Sequence, residues 1–372
     1  MKNVRWVGLD VHAETLAVAV AEPAGEVRSL GVMPNRPESI RKLVKKLGPP
    51  AQLRVCYEAG PTGYVVYEQL TALGVACEVV APTLVPVRPG DRVKTDRRDA
   101  MKLARHYRAG ELTAVWVPDA AHEALRDLVR ARAAAKQDEL RARHRLGKFL
   151  LRHGRRPPSG VRAWTQRHRH WVQTVRFAQP AQDATLRDYL HEVEQGAARV
   201  TRLEAAIRAT VETAPPRLRA VIAGLQALRG VALVTAVTVV AEVGTLSRFP
   251  TPRQLMGYSG TVAREASSGS RVRRGGITKT GNAHLRRVVG EAAWAYRFRP
   301  AVGPALRRRQ VGLAPEVTAL AWKAQHRLHA RYRRLLGRGK AKQTVVTAVG
   351  RELLGFIWAI GVTIEGQYPQ VA

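Results

Sequence analysis

Four acidic residues stand where folded chains often place catalytic groups. Asp10 ends the first apolar run of the chain and Glu58 ends the fourth, while Asp96 and Asp99 open a stretch with helical spacing. A spacing of three puts Asp96 and Asp99 on one face of that helix, and it is the apolar face. We therefore expect these carboxylates to point inward, where a buried charge needs a partner or a metal.

Carboxylate oxygens are the ligands that hard cations such as Mg²⁺ prefer. Four inward carboxylates could hold two such ions about 4 Å apart, an arrangement that activates the attacking oxygen in phosphoryl transfer. Each acid also has an ordinary interpretation: the dipole of a helix capped by Thr95 favours Asp96 and Asp99, and Glu58 could pair with an arginine. Taken together, the four acids favour a site for Mg²⁺ or Mn²⁺.

The elements that would position these acids form an α/β domain over residues 1–112. Apolar runs predict strands over 4–10, 15–21, 26–33, 53–58 and 76–80, and helical spacing predicts helices over 37–47, 64–73 and 96–109. Three hairpin-like strands come first, and helices then alternate with strands. This order predicts a mixed sheet with helices packed on it.

Residues 113–215 are expected to form a helical linker with two long helices, over 119–153 and 181–212. Apolar residues of the second helix recur at spacings of three and four, which is typical of a coiled coil. The stretch 141–182 carries 11 Lys and Arg residues and no acid, with aromatic residues between them. Basic charge follows a phosphate backbone and aromatic rings stack on unpaired bases. The candidate nucleic-acid-binding residues here are Arg141, Arg143, Arg145, Lys148, Arg152, Arg155 and Arg156.

Residues 216–372 are expected to form a mostly α-helical domain. Within it, residues 267–276 predict a flexible basic loop that begins with three serines and a glycine. On composition alone, those serines indicate a linker. Four further candidate nucleic-acid-binding residues lie in or beside this loop, namely Arg271, Arg273, Arg274 and Lys279.

The charge of the whole chain limits the classes of partner that it can bind. Its 372 residues include 62 Lys and Arg against 29 Asp and Glu, a formal net charge of +33. Such an excess indicates a polyanionic partner, most plausibly nucleic acid, and arginine grips phosphate oxygens in a bidentate way. Two cysteines exclude a disulfide scaffold and a cysteine-based zinc finger. With no signal-peptide pattern at Met1–Trp6, and with apolar runs at 231–240 and 353–362 too short for a bilayer, we expect a cytoplasmic protein.

Three motifs carry a family resemblance. The segments Gly-Leu-Asp-Val-His at 8–12, Tyr-Glu-Ala-Gly at 57–60 and Lys-Thr-Asp-Arg-Arg-Asp-Ala at 94–100 resemble the DEDD transposases of the insertion sequence 110 family. These are bridge-RNA-guided recombinases related to the Piv DNA invertases. Segments 255–264, 267–269, 278–282 and 285–287 resemble the C-terminal domain of that family, so the resemblance covers nearly the whole chain.

The resemblance implies a RuvC-like (RNase H-like) N-terminal domain in which Asp10, Glu58, Asp96 and Asp99 bind Mg²⁺. It also implies a guide RNA, a double-stranded DNA substrate, and a coiled coil that assembles a dimer or tetramer. In the family pattern a serine directly before a glycine attacks DNA and becomes a phosphoserine. That pattern selects Ser268, with its neighbour Ser267 as the alternative.

The expected function is therefore that of a DNA transposase or recombinase. A hydrolytic junction nuclease on the same fold would need the four acids but not Ser268. A non-enzymatic coiled-coil protein that binds nucleic acid would need neither the acids nor the serine. An actin-like ATPase would need a phosphate-binding turn straight after Asp10, and residues 11–13 do not supply one.

Overall fold

The computed structural model describes residues 4–87, 90 and 94–368 of the chain. The chain divides into two compact units, Met1–Val117 and Pro118–Ala372. Of the expected N-terminal segment, the first three residues lie outside the described part. The expected domain limits at 112 and 215 stay predictions.

The first unit is built on a five-stranded mixed sheet. Its strands are β1 (Arg5–Val11), β2 (Thr15–Ala21), β3 (Arg28–Pro34), β4 (Leu53–Glu58) and β5 (Ala76–Val80), in the order β3-β2-β1-β4-β5. The first three strands are antiparallel, whereas β4 runs parallel to β1 and β5 runs parallel to β4. The mixed sheet expected from the order of apolar runs is confirmed.

The two faces of this sheet carry side chains of different size. Valine, leucine and isoleucine cover the face against α1 (Pro37–Leu47) and α2 (Val65–Ala72). Alanines of β2 cover the other face and pack against alanines of α3 (Asp96–Arg108). Small residues let α3 lie close to the sheet, and this close approach sets the positions of the acids at its first turn.

The second unit begins with two long helices. Helix α4 (Ala120–Arg152) and helix α6 (Pro180–Thr213) pack side by side, and the short α5 (Gln166–Thr174) lies between them in sequence. Their ion pairs Arg132–Glu204 and Arg145–Glu192 show that α4 and α6 run antiparallel. These bounds fall within one residue of the expected ones at each end, while the coiled coil as an assembly device stays a prediction.

The remaining helices, apart from α11, contribute buried residues to one core. They are α7 (Pro216–Leu225), α8 (Leu233–Val243), α9 (Pro252–Tyr258), α10 (Ala283–Ala293), α11 (Pro304–Gln310), α12 (Pro315–Gly337) and α13 (Lys342–Glu365). Helix α13 is long and apolar enough by composition to cross a membrane. The apolar run at 353–362 therefore underestimated the length of this apolar helix. Half of its most apolar window is buried in this core, and a core helix passes the same test.

The segment expected as a flexible loop forms a β-hairpin instead. Its arms are β6 (Ala263–Glu265) and β7 (Arg274–Ile277), which pair antiparallel. Ser268 and Arg271 also pair across the turn through two backbone hydrogen bonds of 3.1 Å. The arms are short, exposed and rich in arginine and glycine. They therefore lack the alternation of apolar residues by which a sequence predicts a strand.

Candidate active site

Two of the four predicted acids stand at the carboxyl ends of adjacent parallel strands. Leu9 of β1 pairs with Tyr57 of β4, and Asp10 and Glu58 each follow one residue later. The central position of both strands fixes the two backbones through hydrogen bonds on either side. The sheet therefore brings together two carboxylates that are 48 positions apart in the sequence.

Gly8 sets how closely α3 approaches the strand that carries Asp10. A Cβ placed on Gly8 would lie 2.3 Å from the carbonyl oxygen of Ala100 and 2.4 Å from the backbone nitrogen of Ala104. Because alternate residues of a strand point to the same face, Gly8 and Asp10 both face α3. The missing side chain at Gly8 thus lets the first turn of α3 reach Asp10.

That first turn holds the other two acids. Thr95 caps α3, because its hydroxyl accepts a hydrogen bond of 3.3 Å from the backbone of Arg98. Asp96 and Asp99 follow in the first turn, where the helix dipole favours negative charge. The helix thereby presents both carboxylates beside the ends of β1 and β4.

His12 joins the acids and was not among the predicted site residues. Its Nε2 lies 3.4 Å from Oδ2 of Asp10 and 3.6 Å from Oδ1 of Asp96. Single atoms of these three side chains lie within 4.8 Å of one another, which is close enough to share one metal ion. Its position just beyond the end of β1, two residues after Asp10, was the available signal.

The acids are more open to solvent than the sequence suggested. The side chain of Asp96 is 56% exposed, whereas those of Asp10 and Asp99 are 23% and 25% exposed. Glu58 is also exposed. The expectation that the apolar face of α3 buries these carboxylates is wrong for Asp96, because it lies at the very end of the helix, beyond the sheet.

The carboxylates repel one another. Burial raises the pKa of Asp10, and the charges of Asp96 and Asp99 raise it further, against a lowering by His12. Although the Glu58 side chain is exposed overall, partial burial of its carboxyl group raises its pKa, with added repulsion from Asp99 and Asp10. Lys94 partly offsets this charge, with its Nζ 3.9 Å from Oδ2 of Asp99.

The group of Asp10, His12 and Asp96 fits a divalent cation, whereas Glu58 and Asp99 are not part of that close group in the described residues. Hard cations take carboxylate oxygens, and a bound cation would relieve the repulsion that now raises two pKa values. The imidazole of His12 adds a nitrogen, which Mn²⁺ accepts more readily than Mg²⁺ does.

The hairpin of the second unit carries the two candidate serines, which differ in their contacts. The hydroxyl of Ser267 donates to Oε1 of Glu265 at 2.9 Å and accepts from the backbone of Arg273 at 3.3 Å. Among the residues that the structure describes, no partner hydrogen-bonds to the hydroxyl of Ser268, which stands exposed at the turn before Gly269. The free hydroxyl is therefore the one that the motif selects.

The base of this hairpin is held by two interlocked loops. A Cβ on Gly260 would lie 1.9 Å from the carbonyl oxygen of Thr280, and one on Gly281 would lie 2.2 Å from that of Tyr258. Both glycines have positive φ, so other residues would be strained there as well as crowded. These contacts fix the segment that joins β7 to α10.

A buried carboxylate ties the same segment to α4 and α8. Glu242 accepts two hydrogen bonds from Arg130, of 2.8 and 3.0 Å, and one of 2.7 Å from the side chain of Asn282. Burial alone would raise its pKa, but these hydrogen bonds outweigh burial and hold the pKa of Glu242 below its usual value. Sequence reasoning missed Glu242 because it lies inside an apolar run.

The predicted nucleic-acid-binding residues of α4 divide into two groups. Arg141, Arg143 and Arg145 form ion pairs with Asp138, Glu139 and Glu192. Lys148, Arg152, Arg155 and Arg156 have no acidic partner among the described residues. The cationic surface thus lies at the C-terminal end of α4. Just beyond that end, the guanidinium carbon of Arg155 lies 5.3 Å from the ring centre of Phe177.

The basic residues near the hairpin are exposed. Arg271, Arg273 and Lys279 stand on the surface, and Arg274 pairs with Glu265 at 3.2 Å. Lys279 has a positive φ of 59°, in the segment that the two glycines hold. The hairpin thus presents Ser268 among cations.

Comparisons with known proteins agree with this geometry. Residues 7–154 match a family of DEDD transposases, and residues 223–306 match the family described as Transposase IS116/IS110/IS902. The "Putative transposase y4qE" of Sinorhizobium fredii is 47% identical over 359 residues, covering 95% of this chain and 88% of that protein. The "Transposase for insertion sequence element IS1533" of Leptospira borgpetersenii is 33% identical over 339 residues, covering 90% and 97%.

A mixed sheet with carboxylates at its strand ends, together with the DEDD match, defines an RNase H-like DNA transposase. Both matched regions lie in the order that the motifs predicted. The chain belongs to the IS110 family of transposases.

Proposed function

We propose that this transposase cuts and rejoins double-stranded DNA with Ser268 as its nucleophile and Asp10, Glu58, Asp96 and Asp99 as ligands of Mg²⁺. The free hydroxyl of Ser268, at an exposed turn among arginines, carries this proposal. The serine and the acids would serve one reaction, as the motifs of both units predict.

The covalent step balances as a phosphoryl transfer. The Oγ of Ser268 forms a bond to a DNA phosphorus while the bond from that phosphorus to a deoxyribose oxygen breaks. The serine loses its proton, and the departing oxygen gains one. A serine hydroxyl is a weak nucleophile at neutral pH and needs activation. When bound, the metal would supply Lewis acidity at the phosphate.

The residues of the chain make the rest of the step favourable. Arg271 and Arg273 flank the serine on the hairpin, where they would neutralise the phosphate under attack. The phosphoserine link would preserve the energy of the broken phosphodiester, so a second strand could be joined without another energy source. Water as nucleophile would leave free ends instead.

The test is to denature a reaction with labelled DNA and look for label fixed to protein. We expect an adduct on the peptide that contains Ser268, and no adduct or cleavage with Ser268→Ala. Ser267→Ala is the matched control: it removes the neighbouring hydroxyl and keeps the Ser-Gly pair. Cleavage by the Ser268→Ala protein, or nicks without an adduct in the wild type, would favour a hydrolytic nuclease.

We further propose that a structured guide RNA directs the reaction and that the α4–α6 pair assembles a dimer or tetramer. The net charge of +33 supports an RNA partner in addition to DNA. Leu186, Val193, Val200 and Ile207 recur every seven positions and are buried within one chain, where they hold α6 against its neighbours. The proposal of assembly therefore rests on the motifs that resemble the family. We place this activity in the cytoplasm. A purified protein that carries no discrete RNA would contradict the guidance.

A further inference from the structure

A cleft of about 250 Å³ lies at the C-terminal end of α4, and its lining includes neither hairpin residues nor the predicted acids. Gly147 and Leu151 of α4 line it, as do Trp164 and His168 from the segment that begins α5. Leu151 is 53% exposed, so an apolar wall of the cleft is open to solvent. The buried side chains of this region therefore do not fill the cleft.

Trp164 is held in an unusual backbone conformation at this cleft. Its φ is +65°, in the left-handed region that bulky residues rarely adopt. The guanidinium of Arg143 lies 5.1 Å from its ring centre, and the ring of His168 lies 5.3 Å away. Strained residues of this kind cluster at ligand sites, where the surrounding structure holds them in place.

His168 packs behind the wall of the cleft. Its side chain is 7% exposed, and its Nδ1 is closed to solvent and has no hydrogen-bond partner in the described part of the chain. Burial lowers the pKa of His168, which favours the neutral ring. The neutral ring therefore packs against Trp164 as part of the apolar wall.

The rim of the cleft carries an unpaired cation. Lys148 lines it without an acidic partner among the described residues, whereas Arg143 pairs with Glu139 and lies over the ring of Trp164. An aromatic ring, apolar walls and a cation at the rim match an unpaired nucleotide. The base would stack on Trp164 between these walls, while Lys148 would meet the phosphate.

We propose that this cleft binds a single unpaired base of a nucleic acid. The inference rests on the proposed function only in that the transposase holds DNA or RNA. The shared chemistry is that of an unpaired base, whether from a bulge or loop of RNA or from melted DNA.

The test uses hairpin duplexes that carry one unpaired 2-aminopurine, against the same duplexes fully paired, in RNA and in DNA versions. The full chain is titrated in EDTA, so that no cleavage occurs. We expect about tenfold tighter binding of the bulged duplex, because stacking of one base contributes on that scale, together with quenching of the fluorescent base.

Two variants keep the test independent of folding. Gly147→Leu fills the cleft from α4, where no atom lies within 4 Å of an added Cβ, and removing a helical glycine favours the helix. Trp164→Ala removes the stacking wall. Leu151→Ala should weaken the preference, whereas Leu140→Ala, on the same helix and 50% exposed, should leave it unchanged.

A preference seen in RNA alone, in DNA alone or in both supports the cleft and names its source. Equal binding of bulged and paired duplexes by the wild type overturns the proposal, as does a preference that survives both Gly147→Leu and Trp164→Ala. The Ser268→Ala protein should bind as the wild type does. A failed search for the serine adduct therefore leaves this result untouched.

Discussion

Gly8→Ala tests the close packing of α3 on β1. The added Cβ would lie 2.3 Å from the carbonyl oxygen of Ala100, whereas ordinary contacts begin at 3.4 Å. This oxygen and the next nearest atom, the nitrogen of Ala104, both belong to the backbone of α3, so neither can move aside without moving the helix. The helix must therefore shift by about 1 Å from the strand.

That shift has two consequences of different size. Overpacking a buried contact lowers the free energy of unfolding by about 1–3 kcal/mol, which the fold can survive. The same movement carries Asp96 and Asp99 away from Asp10. A misplacement of about 1 Å at a reacting site can cost about a hundredfold in rate. Function should therefore suffer far more than stability.

The measurements are Mn²⁺ affinity by electron paramagnetic resonance and unfolding by circular dichroism, both on the full chain. We expect Gly8→Ala to remain folded but to bind Mn²⁺ at least tenfold more weakly. Gly60→Ala is the control, since the nearest atom to its Cβ would be 3.9 Å away. Wild-type Mn²⁺ affinity in Gly8→Ala would refute the reasoning that this glycine sets the spacing of the acids.

Three further predictions use other parts of the structure. Asp10→Asn should raise the melting temperature in EDTA at pH 7, because the pKa of Asp10 is raised in the folded protein. A raised carboxyl pKa contributes stability below its ordinary value, and that stability is lost as the pH rises through the folded-state pKa. The gain from Asp10→Asn should therefore vanish near pH 3, and a loss of stability at pH 7 would contradict the prediction. Glu242→Gln should act with the opposite sign, because the pKa of Glu242 is lowered. The substitution should lower the free energy of unfolding by about 2–3 kcal/mol at neutral pH, less than for a fully buried ion pair because Arg130 is half exposed. Urea unfolding should show this loss of stability shrinking as the pH falls below 4. Changing Arg152, Arg155 and Arg156 together to Ala should flatten the log–log dependence of DNA affinity on salt by about two to three, and an unchanged slope would place the binding surface elsewhere.

The sequence predicted the first unit well because its elements obey simple periodicities. Buried strands read as apolar runs, and the helix of Asp96 carries its cap and its acids in the expected first turn. The sequence grouped Asp10 with Glu58 without predicting that their strands are adjacent and parallel, which the structure shows. His12 was missed because the site was predicted from its acids alone, although His12 follows Asp10 by two positions at the end of β1.

Long-range ion pairs lay beyond the reach of local patterns. The stretch from 141 to 182 contains no acid, yet Arg145 pairs with Glu192, which comes from the antiparallel helix 47 positions later. The packing of α6 on α4 neutralises Arg145, whereas Arg141 and Arg143 pair within α4 with Asp138 and Glu139, which lie just before the stretch. The cationic surface is consequently narrower than the composition indicated, and it lies toward Arg152 and Arg156.

The proposed reactive centres, the acids of the first unit and Ser268 of the second, are exposed, as the proposed double-stranded substrate would require. A small molecule can be enclosed in a pocket, but a double helix must approach the acids and the serine from outside. Asp96 at the open end of α3 and Ser268 at a hairpin turn meet that requirement. Their rigidity then has to come from beneath, and the structure supplies it through glycines that admit close backbone contacts: Gly8 under the acids, and Gly260 and Gly281 under the hairpin.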